Sequence, residues 1–245
     1  ILEDGKFLLY FQPIIDLNTN KVVKMEALVR IDHKYKGIIS PYFLEYFRTL
    51  KQLPTVDYWV IEKAFEYEKQ MRFGNIKPLI SINISAETFM STDFLGRFKK
   101  IMYKYQTHPK NIVIEIIEEV CLYDINIAKS KINNLRSLGF QVAIDDFGTG
   151  YSSLSYLSDL EVDFIKIDRK FVLDLNKEKG KKVLRDIINI SHSIGCKVII
   201  EGVENESQLQ LVKIFGADFV QGFYFHKPNT YDNTMEYIRK QNYTF

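Results

Sequence analysis

Carboxylates placed at the ends of short apolar runs are the residues of this chain best suited to chemistry. Asp145-Asp146-Phe147-Gly148-Thr149-Gly150 puts two adjacent acids where an apolar run stops, before two glycines that allow backbone angles other residues resist. Glu201 likewise ends a run in Ile200-Glu201-Gly202, while Glu26 and Glu115 interrupt theirs in Met25-Glu26-Ala27-Leu28 and Ile114-Glu115-Ile116. Brought to one low-dielectric rim, these acids would repel one another by several kcal/mol, so cations must be expected among them. Oxygen donors joined by the Asn83 amide, with no clustered histidine, suit Mg²⁺ or Mn²⁺ better than Zn²⁺. Five carboxylates exceed what one octahedral ion takes, and a metal pair is a recurring device for cleaving phosphoesters. Lys166 adds a cation. Taken singly, each acid more often caps a strand or pairs at the surface, but that does not explain all of them together.

To meet, these residues need a closed scaffold. Strand-like runs at 7–16, 22–31, 78–85, 111–118, 141–146, 163–168, 197–203 and 218–225 alternate with helical periods at 56–73, 126–138, 181–194 and 207–215. Gly139, Gly195 and Gly216 stand where helices end. Only Asn18-Thr19-Asn20 separates the first two runs, too short for a crossover helix, which predicts an antiparallel hairpin. A doubly wound sheet would show a glycine-rich phosphate loop after its first strand, and none is present. The pattern predicts one α/β barrel spanning 1–245, irregular at its start.

Alternation along each strand then sorts the side chains. Ser81, Asn83 and Ser85 share a face turned to the barrel mouth, with the isoleucines between them turned to the helices. The same rule groups Glu26 with Leu28 and Arg30, Glu115 with Val113, and Asp145 with Ala143. It also groups Lys166 with Phe164 and Asp168, Glu201 with Ile199, and Gln221 with Phe219.

Composition bounds the alternatives. The chain has 245 residues, 46% apolar and 26% charged, with 33 Lys and Arg against 31 Asp and Glu, which excludes disorder and a coiled-coil rod. A net charge of +2 predicts no strong attraction to a nucleic-acid polymer. Cys121 and Cys196 form no framework, so buried thiols in a reducing cytosol are expected. No membrane segment or signal peptide is evident, which points to a soluble cytoplasmic domain, and the start at Ile1 suggests excision from a longer parent that would carry any membrane anchor. Lys177-Glu178-Lys179-Gly180-Lys181-Lys182 reads as a solvated loop and helix start, and His33, His108, His192 and His226 lack metal-ligand spacing. Tyr42-Phe43-Leu44, Tyr46-Phe47 and Leu50 form an apolar helical stripe read as core.

Met25-Glu26-Ala27-Leu28-Val29-Arg30 resembles the signature of EAL-domain phosphodiesterases, which cleave cyclic di-GMP to linear pGpG. The likeness runs from Tyr10-Phe11-Gln12-Pro13-Ile14 through Ser81-Ile82-Asn83-Ile84-Ser85, Glu115-Ile116-Ile117-Glu118, Asp145 to Leu154, Lys166-Ile167-Asp168 and Glu201-Gly202-Val203-Glu204 to Gln221-Gly222-Phe223 and Lys227-Pro228. It implies a modified TIM (β/α)8 barrel with the first strand antiparallel, and a two-metal, in-line attack of water on the phosphodiester. By that resemblance Glu26, Asn83, Glu115 and Asp145 are ligands of one ion, Asp146 serves a second, and Glu201 joins the metal and water network. Lys166 would position or help activate the water, and Gln221 would hold the network. Gln12, Leu28 and Arg30 would contact substrate, and Glu118 would anchor the loop from Asp146 to Leu154. The resemblance further implies Mg²⁺ or Mn²⁺ as cofactor, inhibition by Ca²⁺, a homodimer, and often a fused GGDEF or sensory domain. The departures are mild: Ile117 where Thr is usual, Ile31 where Trp often follows the Arg, Ile200 where Ala often precedes the Glu, and Phe223 where Tyr is common. The competing readings are a silent cyclic di-GMP receptor and an unrelated metal-dependent barrel acting on a carbon acid.

Overall fold

The computed structural model describes residues 5–39, 41–72, 74, 77–120, 124–148 and 159–243. Phe73, Cys121 and the loop positions 149–154 therefore lie outside the described residues. Strands β1 (Gly5–Asp16) and β2 (Val22–His33) form the expected antiparallel hairpin, with Gln12 opposite Glu26. The wall continues through β4 (Leu79–Ile84), β5 (Ile112–Ile117), β6 (Gln141–Phe147), β7 (Phe164–Ile167), β8 (Lys197–Ile200) and β9 (Phe219–Val220). From β2 to β9 neighbours are parallel, and β9 closes on β1 antiparallel, giving an eight-stranded barrel with one reversed strand. A short β3 (Gly37–Ile39), not foreseen from the sequence, hangs from the outer end of β2.

Helices clothe the barrel: α1 (Phe43–Thr49), α2 (Leu53–Met71), α3 (Ala86–Met90), α4 (Phe94–Tyr105), α5 (Ile125–Ser137), α6 (Arg169–Leu173), α7 (Glu178–Ser193), α8 (Glu206–Ile214) and α9 (Tyr231–Tyr243). Gly139, Gly195 and Gly216 follow α5, α7 and α8 in left-handed conformation, as helix ends require. Outward strand residues such as Ile80, Ile82, Ile114, Ile144 and Ile165 join the helices in the main core. Inside the barrel, Ile14, Val113, Ala143, Phe164, Ile199 and Phe219 form a separate apolar layer. Apart from Ile14, these are the residues that alternation pairs with the polar groups one step farther along each strand. The layer is a floor, and the chemistry stands on it. Among the described residues no helix is long and apolar enough to cross a membrane.

Two expectations are corrected. The stripe on α1 is only half core: Phe43 and Phe47 are buried, while Tyr42, Tyr46 and Leu50 lie on an exposed face, Tyr42 88% exposed. Ser85 leaves the mouth because β4 ends at Ile84, and its hydroxyl instead caps α3 by accepting from Thr88 N–H.

Candidate active site

Lys166 is the centre of the site. Its Nζ lies 2.7 Å from Glu115 Oε2, 2.7 Å from Glu201 Oε1, 3.0 Å from Asp145 Oδ1 and 3.6 Å from Glu26 Oε2. β7 delivers the lysine, β5 Glu115, β6 Asp145 and β2 Glu26, while Glu201 follows β8 and is steadied by its N–H to Ile167 O at 3.1 Å. Burial opposes the charge on Lys166, but Asp145, Glu115, Glu201 and Glu26 outweigh it and hold the ammonium well above its ordinary pKa. Burial also raises Glu115, to about 8, with the neighbouring Glu26 and Asp145 adding to the shift against the pull of Lys166. Asp145 and Glu201 move upward for the same first reason. One ammonium thus faces more negative charge than it can balance, as expected of a site built for additional cations.

Amides orient the ring. Asn83 Nδ2 donates to Glu26 Oε1 at 2.6 Å, and Gln221 Nε2 donates to Glu26 Oε2 at 2.7 Å and to Gln12 Oε1 at 3.0 Å. Gln12 in turn donates to His226 O at 3.1 Å. Both oxygens of Glu26 are thereby fixed in direction. β9 stops at Val220, so Gln221 stands one residue beyond the strand expected to carry it, placed by its N–H to Ile200 O at 2.8 Å.

Asp146 reaches the site through a bulge. Between β6 and β7 the register runs from Ile144 opposite Ile165 to Phe147 opposite Ile167, so β6 holds one residue more than its partner. The extra turn of backbone puts Asp146 at φ +54°, and its N–H donates to Asp145 Oδ1 at 2.9 Å. Strict alternation would have divided the two acids between opposite faces, and the bulge brings both to the rim. Burial and then the Asp145 charge raise Asp146 to about 6. Farther along, Glu118 Oε2 accepts the Gly148 N–H at 3.0 Å, and Glu118 N–H donates to Asp145 O at 3.2 Å.

The donor set forms two overlapping groups, Glu26 with Glu115 and Asp145, and Asp145 with Asp146 and Glu201, the ligand oxygens of each lying within 4.8 Å of one another. Glu115 Oε1 is buried without a hydrogen-bond partner, an orphan that a hard cation would satisfy. The residues present fit a divalent metal. Above them opens a cavity of about 420 Å³ lined by Gln12, Glu26, Leu28, Asp145, Asp146 and Glu201, with Pro41, Asp168, Arg169, Glu204 and Phe223 on its walls. A larger hollow of about 700 Å³ lies by Arg136, Gln141 and Asp163, where Arg136 already pairs with Glu161 and Asp163, so volume alone does not locate the chemistry.

The family profile described as "EAL domain" matches residues 1–228. The chain belongs to the EAL-domain family. It is 32% identical over 242 residues to the signaling protein YkoW of Bacillus subtilis, covering 98% of this chain and 30% of that one. It is 30% identical over 240 residues to cyclic di-GMP phosphodiesterase PA2567 of Pseudomonas aeruginosa, covering 97% and 41%. The EAL enzyme Bd1971, solved with cAMP and cyclic di-GMP bound, superposes with a TM-score of 0.89 at 32% identity, covering 95% of this chain and 64% of that one. This EAL chain thus spans well under half the length of those two curated relatives.

Most of the expected residues are brought together, with Glu118 standing apart at the Gly148 backbone. The Arg30 guanidinium donates to Val29 O at 2.8 Å. Sequence reasoning missed Asp57 on α2, which accepts from Ser85 N–H at 3.1 Å and from the Ser85 and Thr88 hydroxyls at 2.5 Å each, bracing the loop that follows Asn83. An acid among the apolar positions of α2 was the available signal. Asp168, grouped with Lys166 by alternation, does line the cavity, while Glu204, visible in a motif, and Arg169 had no assigned place in the wall.

Proposed function

We propose that this EAL domain hydrolyses cyclic di-GMP to linear pGpG by in-line attack of water. The observation that carries the reading is the buried ring of Glu26, Glu115, Asp145 and Glu201 around Lys166, whose negative charge exceeds what the lysine supplies. Glu26, Asn83, Glu115 and Asp145 would hold one divalent ion, and Asp146 with Glu201 a second. Mg²⁺ or Mn²⁺ bound there would supply charge to the phosphate and acidify the attacking water.

The chain's own residues do the remainder. Lys166, held by carboxylates on several sides, keeps its proton and presents an ammonium that positions the attacking water. Gln221 fixes Glu26 and Gln12 together, so that metal ligand and substrate contact share one orientation. Leu28, Pro41 and Phe223 offer apolar walls beside the Gln12 carboxamide, suited to a flat base with hydrogen-bonding edges. Arg30 would have to swing from Val29 O to meet a phosphate. None of the histidines lines the cavity, so the leaving ribose oxygen would take its proton from water or from another group of the site. A homodimer, a cytoplasmic setting, inhibition by Ca²⁺ and a fused GGDEF or sensory domain belong to the same reading through the family resemblance.

Incubation with cyclic di-GMP and either Mn²⁺ or Ca²⁺, followed by separation of nucleotides, tests the proposal. Linear pGpG with Mn²⁺ alone supports it. Tight binding without cleavage at any Mg²⁺ or Mn²⁺ concentration would instead make the domain a receptor.

A further inference from the structure

Asp146 occupies a backbone conformation that side chains disfavour, and such a residue persists only where its surroundings over-determine it. On the far side of the bulge, two residues on, the Gly148 peptide is gripped from two elements. Its N–H goes to Glu118 after β5, and its C=O accepts from Lys170 Nζ on α6 at 2.5 Å. Gly148 has φ +83°, and a Cβ built there would stand 2.7 Å from Phe171 Cζ, so the ring of α6 lies directly on this backbone. Asp168, which lines the cavity, caps α6 by accepting from Lys170 N–H at 3.0 Å, tying the start of that helix to the site wall.

Lys170 is half-buried, and among the described residues no carboxylate lies within ion-pair distance of it. Its ammonium is directed at a backbone carbonyl, a charge-assisted bond stronger than a neutral one. We infer that Lys170 is a positioning residue: with Glu118 it clamps the Gly148 peptide and thereby fixes the bulge that aims Asp146 into the cavity. The link to an ion at Asp146 rests on the proposed metal-dependent function, whereas the clamp itself does not.

The test compares Lys170→Met with Lys170→Arg. Methionine keeps the stem and loses the donor, while arginine keeps a cation able to reach the carbonyl. In the parent and both variants, exchange of the Gly148 amide is followed by NMR, and Mn²⁺ binding by calorimetry. The clamp predicts faster Gly148 exchange in Lys170→Met, about tenfold weaker binding of one Mn²⁺ with the other unchanged, and recovery of both in Lys170→Arg. Unchanged exchange, or equal weakening of both ions, would overturn it. Should the parent bind no Mn²⁺, the metal-dependent function fails, and Gly148 exchange alone decides the clamp.

Discussion

Lys166 and Glu115 face each other at 2.7 Å, both without exposure to water, on strands separated by β6. A pair so placed cannot be separated by screening, and neither member can be removed without leaving the other unpaired in a low-dielectric interior.

Replacing Lys166 by methionine therefore has two effects. Turnover of cyclic di-GMP falls by at least about a hundredfold, because the water loses its ammonium. The ion-free protein also loses about 3–5 kcal/mol, as Glu115, Glu201 and Asp145 are left to repel one another. Thermal unfolding with and without Mn²⁺ separates the two, since added Mn²⁺ should raise the Tm of Lys166→Met more than that of the parent. Equal shifts would contradict the ring as a shared counter-ion site.

Asp57 tests the scaffold beneath Asn83. Asp57→Ala leaves Ser85 N–H and two hydroxyls without their acceptor, at a cost of about 3 kcal/mol. Urea unfolding gives that number directly. Mn²⁺ affinity should fall as well, because the turn after Asn83 loosens; a full loss of stability with unaltered affinity would limit Asp57 to packing.

Gly148→Ala asks whether the loop entry tolerates a side chain. With φ +83° and Phe171 Cζ 2.7 Å from the added carbon, strain of about 1–3 kcal/mol is expected, together with reduced turnover. A parental melting curve would show that Phe171 yields freely.

Lys24 sets a pH dependence at the other end of the barrel. Its Nζ lies 3.2 Å from the Phe219 ring centroid and 4.3 Å from that of Phe164. Burial, then Lys197, lowers its pKa from 10.5 to about 7, against the opposing charges of Asp16, Glu115 and Asp218. Between about 7 and 10.5 the unfolded chain binds more protons at this lysine than the folded one, so its contribution to stability rises with pH across that window. The ring faces offset part of the desolvation, and Lys24→Met should stabilise the protein near neutrality by on the order of 2 kcal/mol while flattening the slope. Urea midpoints at neutral and alkaline pH decide it; a Lys24→Met variant with the parental slope would be the contrary result.

Period-two alternation made the barrel interior legible, because the same rule that hides Val113, Phe164 and Ile199 in the floor aims Glu115, Lys166 and Glu201 above it. The bulge that carries Asp146 to the rim was not legible, since it depends on how two strands pair and not on either strand's own pattern. Nor could α1 be oriented, because Tyr42, Tyr46 and Leu50 repeat at the same spacing as Phe43 and Phe47, and only the fold shows which face meets β1 and α2. Asp57 and Ser85 are 28 positions apart, and no local signal joins them.

Crystals grown with Mn²⁺ and measured at the manganese edge address the central claim most directly. The account predicts two anomalous peaks, one against Glu26, Asn83, Glu115 and Asp145 and one against Asp146 and Glu201. Absence of both, with the carboxylates still closed on Lys166, would contradict it.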